Sequence, residues 1–369
     1  MSAAPTRALA APLCNLLEPR TLVEQFLRHP PDEFDALTTA SGTPAFLARF
    51  DLLTTADAPL RQRVQSLPGF GWWGRLLRPR TCFIGTTVSE YALFPATVDP
   101  DALVREWLAD HAAQPFLIVK DIPQASPLLD AANNAQAQAI CDAAERAGFV
   151  LLEGQALAWV PIDFASGDAY LARLSASRRK DIRRKLRARD GLEIEAISTG
   201  SAFFADAGNR AAFFALYLEV FAQSEIHFDR LGTAFFDAVL QDAGSGGIVF
   251  VYRRESRLIG WNLCFVQGDT LVDKYVGFSY PAARENNLYF VSWMHNLEYA
   301  CRLGLGRYVA GWTDPQIKSY LGAQFTFTRH AVRPRSRVLR LALRKLARHF
   351  ESDHAWAETQ GTRDAAADP

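Results

Sequence analysis

The stretch Asp269–Ala323, DTLVDKYVGFSYPAARENNLYFVSWMHNLEYACRLGLGRYVAGWTDPQIKSYLGA, decides the fold. Thr270 to Gly277 predicts a strand, with β-branched and aromatic residues between turn formers. Pro281 to Asn287 is a polar loop. Leu288 to Leu303 predicts a helix, stopped by Gly304 in the C-cap role. Arg307 to Ala310 predicts a second strand, which leads through Gly-Trp-Thr-Asp-Pro to Lys318. Strand, loop, helix and parallel strand make a crossover unit. Such a unit places the loop where backbone N–H groups at a helix N-terminus meet an anionic or carbonyl group.

Working outward, the elements alternate throughout. Before the stretch, Gly247–Tyr252 and Leu258–Val266 predict a hairpin turning at Arg254–Arg257, and 203–221 and 231–242 predict helices. Further upstream, Phe116–Ile122 is a continuous apolar strand of the kind buried on both faces. A helix over 135–147 and strands at 149–152 and 156–160 follow it, a second crossover pattern. Gly69–Pro79, GFGWWGRLLRP, is aromatic and Gly-rich and predicts a loop or strand edge. Arg333–Phe350 predicts a basic amphipathic helix, with Leu339, Leu343, Leu346 and Phe350 on one stripe and Arg337, Arg340, Arg344 and Arg348 on the other. It reads as a helix docked on the preceding domain, or as a peripheral contact with an anionic membrane or RNA surface. Residues 1–20 and 351–369 predict disordered ends.

Composition bounds the function. At 369 residues the chain predicts two domains, and its net charge of zero gives no global attraction to nucleic acid or membrane, so any such attraction is local. Cys14, Cys82, Cys141, Cys264 and Cys301 are scattered without a CxxC pair, which weighs against a zinc-ribbon reading and fits a reducing cytoplasm. No apolar run spans a membrane. No GxSxG, HExxH or P-loop pattern occurs, which weighs against hydrolase, zincin and nucleotide-kinase readings. No metal is expected.

Candidate residues fall in four groups. The run Arg178–Arg189 is basic on nearly every face except that of Ile182 and Leu186, and Ser175 or Ser177 can cap it. A solvated helix is the plain reading; an anchor for phosphates through Arg179, Arg183 and Arg184 is the functional one. In the loop before the crossover helix stand Arg284, Asn286 and Asn287; asparagine tolerates a left-handed turn there. Strand alternation sends Asp273 and Tyr275 to one face and Lys274 to the other. Tyr275 or Tyr280 can protonate a leaving group, and Asp273 can steer or deprotonate an incoming amine; pairing with an arginine is the alternative for Asp273. Glu225 and His227 share a side if their segment is extended, and a His–Glu pair suits general-base work near neutral pH, against the commoner outcome of a surface histidine.

The order of parts from Asp269, the Lys318-Ser-Tyr-Leu-Gly322 step, and the upstream basic helix from Ser175 to Arg189 resemble a GNAT-type acyltransferase domain, and more narrowly the FemABX-like and BioF2-like branch. The resemblance covers roughly Asp163 to Ala323. It implies an α/β fold of two GNAT-like domains (21–162 and 163–332), each a mixed central sheet flanked by helices, followed by the basic helix 333–350. It implies that Lys318 contacts the donor. Where ordinary GNAT domains wrap a pyrophosphate in a Gly-rich loop, this sequence has Ala282-Ala-Arg-Glu-Asn-Asn287. The implied function is N-acyl transfer from an activated donor, acyl-CoA, to a primary amine of a small molecule or peptide, by direct attack and oxyanion stabilisation. Two alternatives stand beside it: an aminoacyl-tRNA donor, as in cell-wall bridge enzymes, and a binding protein of the same fold without catalysis.

Overall fold

The computed structural model describes residues 9–53, 58–224 and 228–347. Its strands are β1 (Leu13–Cys14), β2 (Asp35–Thr38), β3 (Pro44–Arg49), β4 (Arg80–Ile84), β5 (Phe94–Pro95), β6 (Phe116–Pro123), β7 (Val150–Pro161), β8 (Glu193–Ser198), β9 (Gly247–Arg254), β10 (Arg257–Gln267), β11 (Thr270–Phe278), β12 (Arg307–Gly311) and β13 (Gln324–Pro334). The fold is mixed α/β. Contacts divide the chain into two units: Met1–Leu16, Phe26–Ala156 and Phe325–Pro369 form one, Leu17–Gln25 and Leu157–Gln324 the other. The chain passes between them on either side of Leu17–Gln25, within β7 and at the start of β13. The sequence divides it instead at 162/163, with 163–332 as one domain, 333–350 as a helix after it and 1–20 outside. Only strand pairing across long sequence separations reveals that β13 returns to the first unit.

In the first unit the strand order is β2-β3-β4-β6-β13, with β4 and β6 parallel and the other pairs antiparallel. β6 is the expected buried strand. The helix Ala131–Arg146 follows it, and Asp130 caps that helix by accepting from the Asn133 N–H, a contribution of about 1 kcal/mol. Ile140, Cys141 and Ala144 of this helix and Trp107 of the helix Pro100–Asp110 pack with Ile84, Leu117 and Val119. The expected crossover from β6 to β7 is present in order but not as neighbours, because β13 lies between them. The close approach of β13 explains Gly154: a Cβ there would stand 2.2 Å from Thr328 Oγ1. The terminus read as disordered is ordered in its described part, since Leu13–Cys14 pairs with Phe94–Pro95.

In the second unit the order is β7-β12-β11-β10-β9-β8. β11 and β12 are the parallel pair that the crossover pattern requires, and their neighbours are antiparallel. The β9–β10 hairpin turns at Glu255 and Ser256, both left-handed (φ 50° and 62°), as a two-residue hairpin turn demands. The helices Ala207–Gln223 and Thr233–Leu240 lie on one face, where Phe213 and Phe236 pack on Trp261. The crossover helix Leu288–Arg302 lies on the other, burying Leu288, Val291, Met294, Leu297 and Ala300. Each full-size aliphatic side chain in that stripe contributes about 2 kcal/mol.

The C-terminal helix is Arg337–Leu346, shorter than expected because Arg333 and Pro334 belong to β13. It groups with the first unit, not the second. Residues 348–350 of the expected helix and the tail 351–369 lie outside the described residues.

Candidate active site

β11 and β12 pair only at Thr270↔Arg307, Leu271↔Tyr308 and Val272↔Val309. Both strands continue past the ladder, β11 to Phe278 and β12 to Gly311. Accessibility changes at the same point: Val272 and Val309 are buried, whereas Asp273 to Val276 and Ala310 to Gly311 are partly exposed. The parallel strands therefore part and leave an opening lined by backbone groups without a ladder partner across it.

Asp273 stands at that opening. Its Oδ2 accepts from Asn296 Nδ2 (2.9 Å) and the Tyr308 hydroxyl (3.0 Å), and its Oδ1 from Asn262 Nδ2 (3.2 Å) and Cys264 Sγ (3.6 Å). Asn262 Nδ2 also reaches Asn296 Oδ1 (3.1 Å), and the Tyr252 hydroxyl donates to Asn262 Oδ1 (2.7 Å). One network thus ties β9, β10, β11, β12 and the crossover helix together. Burial pushes the Asp273 carboxyl up; the hydrogen bonds from Asn262, Tyr308 and Cys264 and the charge of Lys318 pull it back, and it titrates at about 6. Burial also raises the Tyr252 and Tyr308 phenols well above their ordinary range, so both remain donors.

The alternation expected for Asp273 and Tyr275 fails. The β10–β11 register runs Leu263↔Tyr275 and then Cys264↔Asp273, so Lys274 is an extra, bulged residue. A bulge breaks period two. Asp273 points to the crossover-helix face, and Tyr275 to the opposite face, where its ring meets Phe235 (5.9 Å) and Phe236 (5.4 Å). The bulged Lys274 forms a buried ion pair with Glu18 at 3.3 Å.

Lys318 sits in the short helix Pro315–Tyr320, which Asp314 enters with a left-handed φ of 54°. Its side chain is buried, and its Nζ donates to the Gly311 carbonyl at 3.0 Å. Gly311 has φ 79°, and a Cβ there would lie 3.9 Å from both Lys318 Nζ and the Asp273 carbonyl oxygen. Glycine supplies the left-handed conformation; a Cβ would make only ordinary contacts. The ammonium therefore lies beside the parted ends of β11 and β12.

Asn287 adopts the left-handed conformation its residue type allows (φ 48°) and gives the crossover helix no side-chain cap. Asn286 is spent locally, its Nδ2 donating to Ala282 O at 2.9 Å. Arg284 lies over the Tyr280 ring (5.0 Å) and bonds Gln223. Tyr280, Arg284, Asn287, Leu288, Tyr289 and Phe290 line a cavity of about 240 Å³ at this helix N-terminus.

The basic helix is Ala176–Leu186, capped by Ser175. Arg179 donates to the Ala172 and Leu174 carbonyls, Arg183 pairs with Asp168 (2.9 Å) and Arg184 with Asp181 (2.7 Å). Asp181 also takes Lys185 (2.9 Å) and the Tyr320 hydroxyl (2.8 Å), and these partners hold it well below the usual carboxylate range. Lys185 lies 3.8 Å from the Phe290 ring, so this helix reaches the cavity through Lys185 rather than through the three arginines. Glu225 and His227 lie outside the described residues. Asn262, Asn296 and Tyr308 were not among the candidates; the one sequence signal is the amide of Asn262 inside the apolar run WNLCF, and neither Asn296 in MHNLEY nor Tyr308 in RYVAG stands out. Among the described residues no cluster of His, Cys, Asp and Glu can hold a metal ion, and no helix is long and apolar enough to cross a membrane.

Residues 121–345, more than half of the chain, match the FemAB-like family, described as peptidoglycan biosynthesis/recognition. The chain belongs to the FemAB-like family. No curated protein matches it in sequence. Among solved structures it is similar to L-PGS from Bacillus licheniformis, at 10% identity and a TM-score of 0.51, covering 90% of this chain and 98% of that one. It is similar also to the C-terminal domain of a putative lysylphosphatidylglycerol synthetase from Agrobacterium fabrum, at 15% identity and a TM-score of 0.50, covering 88% and 94%. These likenesses are of fold.

Proposed function

We propose that the chain moves an acyl group from an activated donor to a primary amine by direct attack, in the opening beyond Val272 and Val309. The observation that carries this reading is the buried Lys318 ammonium at Gly311, where β11 and β12 part. A carbonyl inserted there meets backbone groups of the parted strands on either side. As the amine adds, negative charge grows on the carbonyl oxygen, and a fixed cation in a low-dielectric site stabilises it without reorganisation. Removing one such group typically costs about 3 kcal/mol of transition-state energy. Asp273 acts through others: it fixes Asn296 and Tyr308 and offsets the charge of Lys318. Tyr275 faces Phe235 and Phe236, so the leaving group's proton is not assigned to it.

For the donor, acyl-CoA is our first reading. Its phosphates suit Arg284 and the uncapped helix N-terminus at Asn287, with the basic helix nearby. This donor sets the reaction in the cytoplasm. A second reading, an aminoacyl-tRNA donor, is favoured by the glycine-free loop Ala282–Asn287 and by membership of the FemAB-like family. Thermal shift separates them. A donor at a hundred times its Kd stabilises the protein by about 2.7 kcal/mol. A shift with acetyl-CoA and none with charged tRNA supports the first reading, and the reverse supports the second. Binding of either donor without transfer of labelled acyl group to a mixture of primary amines overturns catalysis in favour of a binding protein.

A further inference from the structure

Two stretches of the first unit combine exposed apolar side chains with positive charge. The first is 58–80, which holds Arg61, Arg63, Arg75, Arg78 and Arg80 and no Asp or Glu. From Arg61 to Arg75 no residue is buried, although the stretch contains Val64, Leu67, Phe70, Trp72 and Trp73. Trp72 is 74% exposed and Leu67 52%. The segment is nevertheless shaped. Phe70–Trp73 is a helical turn, the Trp73 Nε1 donates to Pro68 O (3.0 Å), Arg75 Nε donates to Trp72 O (2.9 Å), and the Phe70 and Trp73 rings meet edge-on at 5.1 Å.

The second stretch is 333–347. It holds Arg333, Arg335, Arg337, Arg340, Arg344 and Lys345 and, again, no Asp or Glu. Its helix Arg337–Leu346 is capped by Ser336 and held at one side by Arg340, whose Nη2 donates to Pro334 O. Val338 is 75% exposed, Leu341 60% and Leu339 50%. Arg337, Arg344 and Lys345 are exposed among them. These two stretches supply most of the large exposed hydrophobics among the described residues; both are one-signed in sequence, and although Arg78 pairs with Asp51 and Arg80 with Asp35 in the first, the second keeps Arg337, Arg344 and Lys345 exposed beside its apolar side chains.

We infer that the first unit docks on the surface of an anionic lipid bilayer through Leu67 and Trp72 of the one stretch and Val338, Leu339 and Leu341 of the other. An interfacial helix needs an apolar face to enter the headgroup boundary and cations to meet anionic lipid. Tryptophan on a short surface segment suits the same boundary, with an apolar ring and a polar N–H. Nucleic acid would use the cations but has no use for three exposed aliphatic side chains on one helix. The inference stands on the first unit alone and does not depend on the acyl-transfer reading.

The test is co-sedimentation of the full chain with vesicles of phosphatidylcholine alone and of phosphatidylcholine with roughly a third phosphatidylserine. The wild type pellets with the anionic vesicles and not with the neutral ones. Leu67→Ser with Trp72→Ser, and separately Val338→Ser with Leu339→Ser and Leu341→Ser, each lower the partition by about tenfold or more. Their thermal midpoints stay at the wild-type value, because the replaced side chains are exposed. Wild-type partition in both variants overturns the inference. So does failure of the wild type to pellet, or saturable binding to a short single-stranded RNA with none to vesicles.

Discussion

Replacing Asp273 by Asn removes a specific pH dependence of stability. The folded carboxyl titrates at about 6 instead of its ordinary 3.8, because the carboxyl group itself is enclosed at the head of the Asn262–Asn296–Tyr308 network, although the residue as a whole is partly exposed at the opening. The folded state therefore keeps its proton to higher pH than the unfolded state. That contribution is fully present below the unfolded value and is lost as pH rises through about 6. Roughly two pKa units at 1.36 kcal/mol each make the loss about 3 kcal/mol. The wild-type curve alone will conceal this. His295, buried against Phe250 and Tyr252, is pushed down to about 4 by burial and the charges of Arg189 and Arg302, and its contribution runs in the opposite direction over an overlapping window. The informative quantity is the difference between Asp273→Asn and wild type, in which His295 cancels. Urea unfolding followed by tryptophan fluorescence at intervals from pH 4 to pH 8 measures it. Relative to wild type, the variant should gain about 3 kcal/mol as pH rises across that range, with an unchanged denaturant slope. A flat difference refutes the buried, network-held carboxyl. A difference of the opposite sign would mean that Lys318 dominates and holds Asp273 ionised.

His295→Leu is the companion experiment: wild type should lose about 3 kcal/mol relative to this variant as pH falls from the unfolded histidine value of 6.5 through 4, read by the same unfolding series. Lys185→Gln should weaken donor affinity, with a loss that shrinks as salt rises, whereas changing Arg179, Arg183 and Arg184 together to Gln should leave it unchanged, since Asp168, Asp181 and backbone carbonyls already hold the three; titration calorimetry at two salt concentrations checks both, and a loss confined to the triple variant would return the phosphates to the arginines.

The crossover unit was legible because its signals are local. Thr270–Phe278, Leu288–Arg302 and Arg307–Gly311 fall within one residue of the strand, helix and strand that β-branching, the Gly304 stop and alternation predict. The left-handed Asn287 was legible for the same reason, since residue type alone permits it. Two things were not. The bulge at Lys274 depends on how β10 aligns with β11, and a one-residue change of register reassigned Tyr275 to the other face. The site network joins residues from five elements, and Asn262, Asn296 and Tyr308 become neighbours of Asp273 only once the sheet is assembled. The return of β13 to the first unit is hidden in the same way. Gly69–Pro79, predicted as a loop or strand edge, begins instead with the helical turn Phe70–Trp73, and only the folded chain shows that Leu67 and Trp72 stay exposed.

Acyl transfer where β11 and β12 part requires Lys318 to meet the developing charge. The most direct measurement is turnover of a labelled acyl donor, acetyl-CoA or charged tRNA, with a mixture of primary amines, for wild type and for Lys318→Met. The account predicts transfer by the wild type and at least a tenfold lower rate in the variant, about 1.4 kcal/mol or more of transition-state stabilisation, with donor binding retained in thermal shift. Equal turnover in Lys318→Met would contradict it, as would a wild type that binds a donor and transfers nothing.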